Sequence, residues 1–146
     1  MFFLKDLPTQ RMLQRYAAEH PEMDVDKVAA ALTMMRRASV LIRALDAYFA
    51  AFDLSLLRFL ILIVIDREAA DARLTIGDIG RRIDVSKPVM TRTLKRLADG
   101  GLIDIAPDGA DKRSKVVTLT AAGQDRLART LPGYFKMISG DMATAM

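Results

Sequence analysis

Apolar residues follow three different rhythms along the chain. From residue 25 to 52 they recur every seven positions in two interleaved sets, Val28, Met35, Ile42, Phe49 and Ala31, Ala38, Leu45, Phe52. Alternating spacings of three and four between the sets mark the seam of a helix that packs along its length. Leu32, Leu41 and Tyr48 widen the stripe, and neither proline nor glycine interrupts it. The pattern predicts one helix over Val25–Phe52, with Asp24 as its N-cap. Such a helix is about 42 Å long at ~1.5 Å per residue, against a radius of gyration near ~15 Å for a chain of this size. Part of it must find cover elsewhere, and a second copy of the chain is the simplest cover. Upstream, Pro8 and Pro21 bracket a short helix over Thr9–His20. Downstream, Leu54–Ile65 is apolar almost all round, broken by Ser55 and Arg58, which predicts a buried central helix capped by Ser55 and ending near Glu68. Ala69–Arg73 reads as a loop.

The third rhythm is shorter. Thr75-Ile76-Gly77-Asp78 is a capped helix start, predicting a helix to about Ile83, with a tight turn at Asp84. Ser86 then caps a second short helix that carries Pro88 in its first turn, runs to Asp99 and stops at Gly100-Gly101. Leu102–Ile105 alternates as a strand, Pro107–Asp111 is turn chemistry, and Val116–Leu119 returns. Thr120 caps a last helix starting at Ala121; Pro132-Gly133 predicts its interruption and a weakly amphipathic tail to Met146. Two short helices joined by a tight turn and followed by a hairpin make a winged helix-turn-helix. The expected fold is mainly α with a small β-hairpin wing. Residues 1–72 and 121–146 form a helical dimerisation domain in this reading, and 73–120 a winged-helix lobe.

Composition narrows the function. The 146 residues include no cysteine and one histidine, His20, which excludes disulfides, thiol chemistry and multi-histidine metal sites. The longest pure apolar run, Phe59–Ile65, is far short of the ~20 residues that span a bilayer, and the N-terminus lacks signal-peptide character, so a soluble cytoplasmic protein is expected. The net charge is +4, yet Arg81, Arg82, Lys87, Arg92, Lys95 and Arg96 face only Asp84 within residues 81–96. That segment carries +5, and the rest of the chain sums to −1. A basic excess confined to a predicted helix-turn-helix is the footprint of a polyanion binder.

The second short helix suits the major groove, whose base edges present distinct donor and acceptor patterns. Met90, Leu94 and Leu97 share its inner face; Lys87, Pro88, Thr91, Arg92 and Lys95 share the other, with Ser86 at the cap and Arg96 in the last turn. Arg92 suits guanine or phosphate, Thr91 a phosphate or a thymine methyl, and Lys87 a phosphate near the helix N-terminus. The hairpin tip, with Lys112, Arg113 and Lys115, suits a minor groove, where Arg113 is the best probe.

The run Thr75–Gly123 resembles the winged helix-turn-helix of the MarR family of bacterial transcriptional regulators. Asp111-Lys112-Arg113 resembles that family's D-x-R wing signature, and Leu119-Thr120-Ala121-Ala122-Gly123 its L-T-x-x-G helix start. Leu97, then Gly101-Leu102-Ile103, resembles the exit from the recognition helix into the wing; Leu41–Phe59 is similar to the family's long dimer helix and second helix. Gly80 stands where the family usually has alanine. The resemblance implies double-stranded DNA as partner, with Thr91, Arg92 and Arg113 touching it and Asp111 bracing the wing by pairing with arginine. It also implies a homodimer joined through the first and C-terminal helices, and a repressor acting on a pseudo-palindromic operator. Val28, Met35, Ile42, Leu45 and Phe49 are the expected dimer residues. Family members often bind small aromatic or anionic effectors, for which Met34, Tyr48, Phe52 and Phe59 are candidate pocket residues, with Arg36, Arg37 or Arg43 as anion partners. No cofactor or metal is expected. A winged-helix module that binds protein instead of DNA is the alternative; an isolated histidine and the lack of a glycine-rich phosphate loop argue against an enzyme.

Overall fold

The computed structural model describes residues 2–109 and 113–145. Helix α1 spans Gln10–Glu19, α2 Val25–Ala50, α3 Leu56–Asp66, α4 Ile76–Arg82 and α5 Lys87–Asp99; β1 covers Ile103–Pro107, β2 Lys115–Leu119, and α6 Ala121–Ala145. The expected caps at Asp24, Ser55, Thr75, Ser86 and Thr120 are present, and Thr9, expected inside the first helix, caps it instead. Thr9, Asp24, Ser55, Thr75, Ser86 and Thr120 each accept a backbone N–H from the third residue beyond. The chain divides into two compact units, Met1–Ala44 and Leu45–Met146. Among the described residues, no helix is long and apolar enough to cross a membrane.

In the first unit, Leu13 is the buried apolar side chain, and the buried Ser39 donates its hydroxyl to the Phe2 carbonyl at 3.1 Å. In the second unit α3 is the hub, packing against α4, α5, α6 and β2. Its all-round apolar sequence requires this: Phe59, Ile61, Leu62 and Val64 are buried. Phe59 stacks on Phe49 with ring centroids 4.2 Å apart and meets Tyr134 at 4.5 Å.

Three features depart most from the sequence expectation. Helix α2 ends at Ala50 instead of Phe52 because Asp53 takes the left-handed conformation (φ 54°) and the Leu54 N–H turns back to the Phe49 carbonyl at 3.0 Å. Pro107, expected in the turn, closes β1 opposite Lys115. Helix α6 also runs unbroken through Pro132. An interior proline costs about 3 kcal/mol, and local packing holds the turn. Tyr48 lies against Gly133, where an added Cβ would sit 2.3 Å from the phenolic oxygen, and donates that hydroxyl to the Thr130 carbonyl at 2.8 Å.

Two expected dimer residues belong to this core instead. Leu45 and Phe49 are 5% and 0% exposed within a single chain, so neither offers surface to a partner. The seven-residue seam reads as one stripe in sequence, but it divides between an inward end at Leu45 and Phe49 and an exposed end at Met35 and Ile42, with Val28 half-buried.

Candidate nucleic-acid interface

Helix α4 starts in a reciprocal capping box. The Thr75 hydroxyl accepts from the Asp78 N–H at 3.1 Å, and the Asp78 carboxylate accepts from the Thr75 N–H at 2.9 Å. These hydrogen bonds, with Arg81 and Arg82 nearby, hold the Asp78 carboxyl below its usual pKa. Arg81 pairs with Asp78, and Arg82 with Glu68 at 3.1 Å. Two of the six basic residues of segment 81–96 are therefore committed to ion pairs within the chain. A third, Lys95, reaches Asp99 at 2.7 Å on the exposed side of α5.

Along α5 the inner face is Met90, Leu94 and Leu97, 4%, 1% and 1% exposed. Ser86, Lys87, Pro88, Thr91, Arg92, Lys95 and Arg96 are all exposed. Among the described residues, Lys87, Arg92 and Arg96 have no ion-pair partner. The free cationic charge of the segment is thus concentrated on one helix.

Gly101 (φ 75°) ends the turn after α5, and the chain enters the wing. Strands β1 and β2 pair antiparallel from Ile103↔Leu119 to Pro107↔Lys115. Thr75 bridges Val116, and the Val117 N–H reaches the Leu74 carbonyl at 2.8 Å, which ties the hairpin to the entry of α4. The L-T-x-x-G pattern has a physical cause here. The Thr120 hydroxyl donates to the Gly101 carbonyl at 2.6 Å and accepts from the Gly123 N–H at 3.0 Å. A Cβ on residue 123 would stand 2.0 Å from the Leu102 carbonyl oxygen, so only glycine lets α6 start so close to the exit of α5.

Arg113 and Lys115 are exposed on the wing, while Lys112 and Asp111 lie outside the described residues. A brace that the sequence did not announce joins Arg73 to Asp108 at 2.7 Å, and the Asp108 N–H reaches the Ser114 carbonyl at 2.8 Å. Asp108 reads as turn chemistry in the sequence because its partner lies in a loop 35 positions earlier. Thr91, Lys95 and Ala98 of α5 share a groove of about 300 Å³ with Ile105 and Lys115 of the wing. The helix and the wing therefore open onto one surface.

The expected effector residues do not assemble a pocket. Phe59 is fully buried, Tyr48 is held by Thr130, Phe52 lies 5.2 Å from the Tyr48 ring, and Met34 is 66% exposed in the first unit. Their aromatic rings fill the core around α3. A groove of about 730 Å³ lies instead on the other side of α3, lined by Leu56, Leu60, Ile63, Arg67, Arg82 and Tyr134 among others.

A short helix capped at its entry, a second helix with a dry inner face and a cationic outer one, and a hairpin wing beside it define a winged-helix DNA-binding protein. A MarR family model matches residues 52–114. The HTH-type transcriptional repressor YetL of Bacillus subtilis is 30% identical over 139 residues, covering 95% of this chain and 83% of the repressor. The chain belongs to the MarR family and is a DNA-binding transcriptional regulator. The same fold occurs in AbsC, a MarR family transcriptional regulator from Streptomyces coelicolor (TM-score 0.78, 17% identity, 85% of this chain and 83% of that one). It occurs also in Bordetella bronchiseptica BpsR, in a structure addressing regulation of its DNA binding by 6-hydroxynicotinic acid (TM-score 0.65, 16% identity, 75% of this chain and 76% of that one).

Proposed function

We propose that the protein is a cytoplasmic, effector-responsive repressor that binds a pseudo-palindromic operator as a homodimer. Helices α5 of the two copies enter successive major grooves, about one helical turn apart, and the wings reach the flanking minor grooves. Residues 73–120 act as the DNA-binding lobe, with 1–72 and 121–146 serving dimerisation. The observation that carries the reading is the groove shared by Thr91, Lys95 and Lys115, beside the unpaired Lys87 and Arg92. The repressor name of the B. subtilis relative supports repression. Met35 and Ile42 on α2, and Phe135 and Met142 on α6, supply exposed apolar surface for a second copy.

The effector of this reading is a small aromatic or anionic molecule, the kind of compound named for BpsR. The groove on α3 suits it, with an apolar floor at Leu56, Leu60 and Ile63 and the Arg67 guanidinium among its walls. Selection of bound duplexes from a random pool tests the operator; a two-fold symmetric consensus is expected, and an asymmetric or featureless one overturns the proposal. On the selected duplex, Arg113→Ala lowers affinity by about 1–3 kcal/mol and relaxes preference for flanking A·T steps. Unchanged binding removes the wing from the mechanism.

A further inference from the structure

Three arginines from three packed elements converge where α2 ends. Arg58, in the first turn of α3, donates from Nη1 to the Asp53 carbonyl at 2.9 Å. Arg126 of α6 donates from Nη1 to the Phe52 carbonyl at 2.8 Å. The two guanidiniums are thus fastened to consecutive carbonyls of one turn. Arg96 of α5, a helix packed on α3, is near enough to act on Arg58 electrostatically. Burial lowers the Arg58 pKa, and Arg96 and Arg126 lower it further as like charges; Asp53 acts in the opposite sense. Arg58 and Arg126 are half-buried, and Arg96 is exposed.

Like charges held together in a folded protein repel, and here the carbonyls use one N–H of Arg58 and one of Arg126. A guanidinium offers five donors in a planar fork suited to phosphate oxygens. The corner therefore keeps unused donors and excess positive charge facing a surface that solvent and ligands can reach. Arg96 also sits four residues after Arg92, so the two lie on one side of α5 as a like-charge pair with no acid on either. Arg92, Arg96, Arg58 and Arg126 form a cationic track leading from the recognition helix toward the end of α2.

We propose that Arg58, Arg96 and Arg126 clamp a phosphate of the DNA backbone outside the segment held by the recognition helix and the wing. The proposal rests on α5 being the DNA-reading helix, and the continuity of the track with Arg92 selects the DNA backbone over a free anion. The clamp carries no sequence information. It fixes the angle at which α5 enters the groove and adds to the salt-sensitive share of affinity.

The test is the slope of log affinity against log salt, measured on the selected duplex and on a scrambled duplex of equal length. Each phosphate contact contributes about 0.9 to the magnitude of that slope. Arg96→Gln/Arg126→Gln is expected to reduce it by about one unit on both duplexes, with the ratio of specific to non-specific affinity unchanged. Arg96→Lys/Arg126→Lys, which keeps the charge, is expected to restore most of it. An unchanged slope in the glutamine variant overturns the clamp. So does an equal loss in both variants accompanied by a lower unfolding midpoint, which marks a purely structural role. Broadening of the inorganic phosphate ³¹P signal by the wild type but not the glutamine variant, with an unchanged DNA slope, reassigns the corner to a free anion and also overturns it. Failure of the wild type to bind either duplex strikes the DNA-binding reading itself.

Discussion

In residues 45–146, apolar side chains from four helices and a hairpin close around α3, and seventeen of the eighteen buried hydrophobic residues among those described lie there. In residues 1–44 the same kinds of side chain stay outside. Phe3, Leu4, Met12, Tyr16, Met34, Met35, Val40 and Ile42 are all exposed, and Leu13 alone joins the core set. The contrast is one of completeness. The second unit covers most of its apolar surface within one chain, leaving Phe135 and Met142 of α6 exposed; the first leaves most of its large apolar side chains uncovered by a single chain. Large apolar side chains exposed in this number are candidates for an interaction surface. The recognition helix and wing therefore have their core within one chain, whereas the first unit leaves most of its large apolar side chains exposed.

The sharpest way to break the closed unit is at its tightest joint. Gly123→Ala would place a Cβ 2.0 Å from the Leu102 carbonyl oxygen, a backbone atom that cannot swing aside. We expect a loss of about 3 kcal/mol from forced separation of α6 and the exit of α5, read as a lower denaturant midpoint. A midpoint within experimental error of wild type would show that the joint is loose and that the L-T-x-x-G pattern has another cause.

The boundary between the two behaviours falls inside α2, and paired substitutions there locate it. Ile42 is 48% exposed and Leu45 is 5% exposed, although they are three residues apart in one helix. Ile42→Glu should yield folded monomers in sedimentation, with the unfolding of residues 45–146 unchanged. Leu45→Glu should instead destabilise the fold itself by about 2 kcal/mol or more, through a buried unpaired carboxylate. If Ile42→Glu remains dimeric, the assembly surface lies elsewhere, with Phe135 and Met142 of α6 the next residues to change.

This split also explains what the sequence could and could not convey. Caps are local chemistry, so Asp24, Ser55, Thr75, Ser86 and Thr120 are all readable from residue type and spacing. The inner face of α5 was equally plain, because i, i+4, i+7 spacing permits one buried side. A heptad stripe gives no information about which partner covers it: Leu45 and Phe49 read as dimer residues, yet both are buried within one chain, Phe49 against Phe59 of α3 and Tyr134 of α6. Aromatic residues chosen as a ligand pocket turned out to be core for the same reason: Phe59 could not be told from a pocket wall without the ring of Phe49 stacked on it. The Arg73–Asp108 brace and the arginine corner at Phe52-Asp53 join residues distant in sequence, which no periodicity marks. Pro132 misled in the other direction. The local rule against an interior proline was overridden by Tyr48 seated on Gly133.

The smallest expected effect sharpens the comparison from inside the closed unit. Helix α4 has seven residues, two of them glycine, and is the weakest element around the recognition helix. A Cβ at Gly80 meets nothing within 4 Å, and its backbone is ordinary right-handed helix, so the glycine has no steric justification. Gly80→Ala should stabilise residues 45–146 by about 0.4–1 kcal/mol, chiefly by restricting the unfolded chain. That corresponds to a rise of about 2–8 °C in the unfolding midpoint of this unit, with the sedimentation coefficient unchanged. DNA affinity reports what the glycine is for. Unchanged affinity with higher stability means that α4 is merely a support for α5. Weaker binding with higher stability means that α4 must yield when α5 seats in the groove, and that the flexibility of Gly80 is used in binding. No gain in stability would contradict the open space around this residue and with it the assignment of α4 as the soft element of the closed unit.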